Sequence, residues 1–212
     1  MGRFNEEHKQ RKTTIDEAEL RHSLEALEAK PEFFRLRNVA LLSLMWLVGK
    51  RRSEYPRLEL TDFEEGAGVI NVTFTLSKKR GEMVISKRST KTLKLSDPLT
   101  QPIAEYLNYL KHMNPTPRYF LPRVYPLFGH GFIIDTENGI GGRQVYNIVA
   151  EANPDTWPHL YRESAGAEIV KGDNTLNAVF KVQRRLDHEK LATSLGYLRR
   201  YGADVIDREE KA

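Results

Sequence analysis

The stretch LDHEKLATSLGYLRRY, residues 186–201, decides how the chain is read, because it places His188 nine residues before Tyr197. In one unbroken helix, nine steps of about 100° would put the two side chains on opposite faces. A break is needed for them to meet. The run from Ala192 to Gly196 contains weak helix formers, so Tyr197 can ride on a loop or a new helix back toward His188.

Two motifs upstream supply matching chemistry. Pro158-His-Leu-Tyr-Arg162 opens a helix at its proline, and the i, i+3 spacing sets His159 and Arg162 on one face, a donor pair able to hold a phosphate. In Gly49-Lys-Arg-Arg-Ser-Glu54 an arginine follows a buried helix, and Glu54, three residues after Arg51, can hold its guanidinium toward a ligand. Taken singly, each motif describes a surface ion pair or a polar helix start better than a site. Their order along the chain gives them weight.

The rest of the chain reads as the scaffold. Thr14-Ile-Asp-Glu17 fits a capping box ahead of a Leu20, Leu24, Leu27 stripe that ends before Pro31. A second helix, apolar almost all round, runs from about 32 to 48 and stops at Gly49. From Val69 the period becomes two: VINVTFTLSKK, a turn at Arg80-Gly81, EMVISK, a further turn, and TKTLKLS predict a three-stranded antiparallel sheet. A helix from Pro98 to about Met113 follows, then a long packed connection to Asp135. Helices are predicted over 143–152, 158–171 and 175–186. With no internal repeat and no linker after residue 30, this is an α+β fold, one mainly helical domain with a small sheet.

Composition narrows the classes. A 212-residue chain can bury roughly 70% of its unfolded surface, and 40% hydrophobic with 29% charged residues argues against disorder. Zero cysteines exclude disulfides, thiolate metal sites and cysteine nucleophiles. The longest apolar run, Val39 to Val48, is too short for a bilayer, which needs about 20 residues. The N-terminus lacks the apolar stretch of a secretory signal, so a cytoplasmic protein is expected. The net charge of +4 is mild. Its distribution is not, since Lys78, Lys79, Arg80, Lys87, Arg88, Lys91 and Lys94 face one acid, Glu82.

In this order of motifs the chain resembles the tyrosine recombinases, the family of phage integrases and Xer-type recombinases, over roughly residues 34–206. Their catalytic domains run Arg, Lys, His-x-x-Arg, His or Trp, then Tyr. The resemblance implies Arg51 as the first catalytic arginine with Glu54 in support, His159 and Arg162 as the His-x-x-Arg pair, then His188, and Tyr197 as nucleophile. It also implies a lysine in the turn between the second and third strands. Lys87 in ISKRSTKTLKLSD stands at the matching place, and Lys79 in the preceding turn is the alternative. Tyr161 and Glu163 flank Arg162 where the family usually has Leu and His or Arg, and Asp187 replaces the common Gly before His188. The segment from Gly172 to His188 is about four residues longer than usual, one helical turn. Only some 30 residues precede the core, so the expectation is a mobile arm over 1–13 and a catalytic domain over 14–212 without the family's usual N-terminal domain.

The resemblance implies site-specific cleavage and rejoining of DNA through a 3′-phosphotyrosine, without metal, cofactor or ATP, in a prokaryotic, viral or plasmid setting. Arg51 and Arg162 would clamp the phosphate oxygens, His188 would donate a hydrogen bond, His159 would assist proton removal, and Lys87 would protonate the departing oxygen. A type IB topoisomerase or a telomere resolvase would use the same chemistry. A module that had lost catalysis would lack the Tyr or an Arg, and none is missing. The expected partner is double-stranded DNA, gripped by Lys78, Lys79, Arg80, Arg88 and Lys91 of the hairpin and by Lys181, Arg184 and Arg185. The protein would be a homo-oligomer on DNA, a tetramer, and a monomer without it. The tail from Leu198 to Ala212 is expected to dock on a neighbouring subunit.

Overall fold

The computed structural model describes residues 12–80, 83–127, 129, 131–173 and 175–202, and over 77–80 and 83–85 the backbone alone. The predicted arm over 1–13 lies almost entirely outside the described residues. Helix α1 spans Glu17–Glu25. Its capping box is Asp16 with Glu19, two residues later than the Thr14-Glu17 box predicted: the Asp16 carboxylate accepts from Glu19 N at 2.9 Å and the Glu19 carboxylate from Asp16 N at 3.0 Å. Ile15 accounts for the delay. It is buried, and its N–H donates to Ser164 Oγ at 2.8 Å, which holds the chain extended up to Asp16.

Helix α2, Glu32–Val48, is the central element and buries Leu36, Leu41, Leu44, Met45 and Val48. Gly49 closes it at φ 59° and ψ 34°. A Cβ there would stand 2.6 Å from Leu186 Cδ2 and 2.9 Å from Ala165 Cβ, so glycine is demanded both by the left-handed backbone and by the close approach.

The sheet keeps three antiparallel strands in the order β1-β2-β3, but they are not the three predicted. They are β1 Phe63–Gly66, β2 Val69–Arg80 and β3 Met83–Lys94. The second expected turn is absent, and Met83 to Lys94 run as one strand through both predicted segments. Residues 88–90, Arg-Ser-Thr, offer neither Gly, Pro nor Asn to reverse the chain, whereas Arg80-Gly81 does. Phe74 pairs with Ser89 and Val72 with Lys91, so residues 87, 89, 91 and 93 share the face that covers the core.

Helix α3, Gln101–Lys111, starts three residues after Pro98, because Asp97 first makes a turn, accepting from Leu99 N and from Thr100 N. It packs Ile103, Tyr106, Leu107 and Leu110 inward. The predicted connection contains a hairpin instead, β4 Pro122–Leu127 with β5 Gly131–Gly139. Its prolines weaken the strand signal, yet Val124 and Ile134 pair on a half-buried face.

Helices α4 Gly142–Ala152, α5 Pro158–Gly172, α6 Leu176–Leu186 and α7 Leu191–Tyr201 complete the domain. The main core joins α1 to α4 with the sheet. A second apolar cluster, with Ala165, Val170, Val179, Val182, Leu186, Tyr197 and Leu198, ties α5, α6 and α7 together. The break before Tyr197 falls at residues 187–190, not in 192–196, which lie within α7. Asp187 makes it, at φ 51° and ψ 49°, the only non-glycine positive φ among the described residues. Leu198 and Tyr201 pack on this chain's own second cluster; the tail beyond residue 202 lies outside the described residues.

Candidate active site

Arg162 organises the site from the second turn of α5. It is 5% exposed, and its Nη1 donates to the Gly49 carbonyl at 2.6 Å and its Nη2 to the Leu186 carbonyl at 2.7 Å. One guanidinium thus ties the end of α2 to the end of α6. Both carbonyls are helix-end acceptors that lack an intrahelical donor. Three N–H groups of the fork remain for a ligand.

A second bracket lies one residue further along both segments. The Lys50 ammonium, fully buried, contacts the Asp187 carboxylate and donates to Ser89 Oγ at 3.2 Å. Lys91 Nζ and Ser89 Oγ each donate to Asp187 Oδ1 at 2.9 Å. Burial, then the neighbouring Lys91, pushes Lys50 down to about 6, and burial pushes Lys91 down to about 8; the Glu54 carboxylate opposes both shifts. This accounts for an aspartate where glycine is common: its left-handed backbone is held by two ammonium groups and a hydroxyl. The brackets fix the residues that follow them, Arg51 and His188.

Arg51 is exposed, with Nη1 3.2 Å from Glu54 Oε1 and its backbone N–H donating to Glu54 Oε2 at 2.9 Å. Glu54 is buried. The His188 Nδ1 lies 2.9 Å from Ser194 Oγ, and its ring is 5.6 Å from that of Tyr197. Burial, then the charges of Arg162 and Arg51, push His188 down to about 4. Arg51, Arg162, His188 and Tyr197 therefore share one electrostatic neighbourhood.

Tyr197 is 2% exposed. Its ring lies flush on α5, where a Cβ on Gly166 would be 2.3 Å from Cε1, and its hydroxyl donates to Glu163 Oε1 at 3.0 Å. Burial and the Glu163 carboxylate raise its pKa, which keeps it a neutral phenol. Glu163 also meets Arg200 Nη1 at 3.2 Å, His159 Nε2 at 3.3 Å and the Tyr201 hydroxyl at 3.4 Å.

Other predicted residues fall elsewhere. His159 and Arg162 do not form one donor face: Arg162 turns inward to the two carbonyls, and the exposed His159 turns to Glu163. Lys87 is not in a turn. It stands mid-strand opposite Leu76, exposed, on the face that carries Ser89 and Lys91. Lys79 and Arg80 are the last residues of β2, and their side chains, with that of Lys78, lie outside what is described. Arg88 is exposed on the opposite face, 3.6 Å from Asp62. Lys181 and Arg184 are exposed on α6, with Lys181 paired to Asp173. Lys91 and Arg185 are half-buried: Lys91 is engaged at Asp187, and burial lowers the pKa of Arg185. Sequence reasoning missed Lys50, Ser89 and Glu163 as parts of this network. A lysine directly behind an apolar helix and its capping glycine was the available signal for Lys50.

The His188 environment has a pH signature. Its ordinary value is 6.5 and its folded value about 4, so between these pH values the unfolded chain takes up a proton that the folded chain refuses. The contribution to stability is complete above pH 6.5 and is lost as pH falls toward 4. Tm should fall on acidification through this window, and His188→Gln should shrink the fall. Identical pH dependences for the two proteins would contradict the burial described.

No protein-family model matches the chain, and no curated protein matches it. Solved structures do. A XerH site-specific recombinase bound to difH substrate, a pre-cleavage complex, aligns at TM-score 0.58 and 20% identity, over 89% of this chain and 51% of that one. XerH bound to palindromic difH, post-cleavage, gives 0.61 and 19%, over 93% and 52%. A lambda integrase dimer bound to a COC' core site gives 0.55 and 13%, over 90% and 49%. The chain spans about half the length of each. The seven α-helices and the three-stranded antiparallel sheet found among the described residues give this chain the fold of a tyrosine recombinase catalytic domain.

Proposed function

We propose that the chain is the catalytic part of a site-specific DNA recombinase that cleaves and rejoins strands through a 3′-phosphotyrosine on Tyr197. The observation that carries this is the convergence of Arg51, Arg162, His188 and Tyr197 on the seam that Arg162 closes between Gly49 and Leu186. The DNA-bound state of the XerH and lambda integrase structures supports double-stranded DNA as the partner, and the lambda integrase dimer supports assembly of copies on it.

Tyr197 Oη attacks the scissile phosphorus as the bond to the 5′-oxygen breaks. The free N–H groups of Arg162, the guanidinium of Arg51 and the neutral imidazole of His188 stabilise charge on the non-bridging oxygens. The phenolic proton leaves by way of His159, and a lysine protonates the 5′-oxygen. The phosphotyrosyl ester keeps the energy of the broken bond, so a 5′-hydroxyl from another strand can reverse the step without ATP. Attack requires Tyr197 to leave Glu163. A phosphate arriving at Arg162 repels that carboxylate and favours the release.

Nicked suicide duplexes of randomised sequence, incubated with the protein in EDTA without nucleotide, should give a covalent protein–DNA band on a denaturing gel. Salt-sensitive binding with no such band over the whole library would leave a DNA-binding module and reject the enzyme. The acid is assigned with the same duplexes: Lys87→Ala should slow cleavage of normal DNA and recover when the leaving oxygen is sulfur, which departs without a proton. Recovery of Lys79→Ala in its place would move the part to the end of β2.

A further inference from the structure

A cavity of about 510 Å³ lies between α2, the β4–β5 hairpin and the start of α4, with walls that include Phe34, Arg37, Arg123, Phe132, Gly141 and Gln144. None of these residues belongs to the site around Tyr197. Its size suits a small molecule.

Arg37 is the unusual wall residue. It stands in the second turn of α2, just before the long apolar run, and is 3% exposed. Its Nε donates to Asn38 Oδ1 at 3.0 Å, and its guanidinium lies 5.4 Å and 5.1 Å from the Phe33 and Phe34 ring centres. Among the described residues no acceptor takes either terminal nitrogen and no carboxylate forms an ion pair with it. A buried cation without a direct ion-pair partner is costly; burial lowers the pKa of this one, and the charges of Tyr106 and Glu151 oppose that shift.

The other walls complement it. Helix α4, eleven residues long, begins here with Gly141 as its N-cap, and no side chain caps the first turn. Its free N–H groups and positive end favour an anion. Arg123 adds an exposed guanidinium at the rim. The Phe34 and Phe132 rings, centres 4.8 Å apart, form an apolar wall beside these donors.

We propose that this cavity binds a small organic oxyanion, a carboxylate or a phosphate monoester carrying a flat aromatic body. The oxygens meet the terminal N–H groups of Arg37 and the first turn of α4, and the body lies against Phe34 and Phe132. The assignment is independent of the reaction at Tyr197.

Calorimetric titration of the full chain tests it with phenylacetate and phenyl phosphate, using benzyl alcohol and inorganic phosphate as controls. At least one charged aromatic probe should saturate with a Kd of about 1 mM or tighter, and both controls should bind at least about tenfold more weakly. Phenylacetate alone would identify a carboxylate ligand, phenyl phosphate alone a phosphate ester. Arg37→Met should weaken binding by about tenfold or more, and Arg123→Ala by a few-fold. Arg123→Ala and Gln144→Ala, both at exposed positions, carry the test if Arg37→Met does not fold. No saturation by about 10 mM would overturn the proposal. So would inorganic phosphate binding as tightly as phenyl phosphate, or variants that bind like the parent, which would leave Arg37 as a cation–π brace.

Discussion

Tyr197→Phe abolishes the covalent adduct and strand cleavage, and Tyr201→Phe leaves both. The substitution keeps the ring that packs on Gly166 and Leu186 and removes only a hydroxyl that donates to Glu163. The fold should therefore survive, with a stability loss of about 1.5–3 kcal/mol, the worth of a hydrogen bond to a charged acceptor. The chemistry should not survive, because the hydroxyl is the nucleophile. Tyr201 reaches the same carboxylate at 3.4 Å from one turn further along α7 and is the natural rival. Its replacement removes a partner of Glu163 without touching the ring stacked beside His188. Adduct formation by Tyr197→Phe but not by Tyr201→Phe would reverse the assignment.

Arg162→Ala has the second largest effect, and it acts twice. Two buried carbonyls, of Gly49 and Leu186, lose their donor, at about 1–3 kcal/mol each. For a domain of this size that lowers Tm by about 4–24 °C. In the folded fraction, single-turnover cleavage should drop a further hundredfold to thousandfold, the usual cost of losing a preorganised donor to a developing oxyanion. Arg162→Lys keeps a charge but cannot span both carbonyls with a flat fork. It should recover part of the stability and little of the rate. An unchanged Tm in Arg162→Ala would contradict the bracket, and an unchanged rate would remove Arg162 from the reaction.

The two effects show which parts of the molecule could be read from its residues. Helix α2 and its Gly49 stop were legible because apolar content and a left-handed cap are local properties. The need for a break between His188 and Tyr197 was legible from helical geometry alone. Its place was not, since Asp187 turns the chain only because Lys50, Ser89 and Lys91 converge on it from distant segments. Long β3 was misread as two strands because a basic, β-branched run carries no reliable punctuation, and that error moved Lys87 from a turn to mid-strand. Glu163 gave little local signal: only His159, four residues back on its own helix, is near in sequence, and Tyr197, Arg200 and Tyr201 reach it from α7 in the folded chain.

The most direct measurement of the central claim is the identity of the residue joined to DNA. Protein captured on a nicked suicide duplex would be digested with nuclease and protease, and the nucleotide-bearing peptide sequenced by mass spectrometry. The account predicts a nucleotide esterified to Tyr197 through its 3′-phosphate. A nucleotide on Tyr201 or any other residue, or joined through a 5′-phosphate, would contradict it.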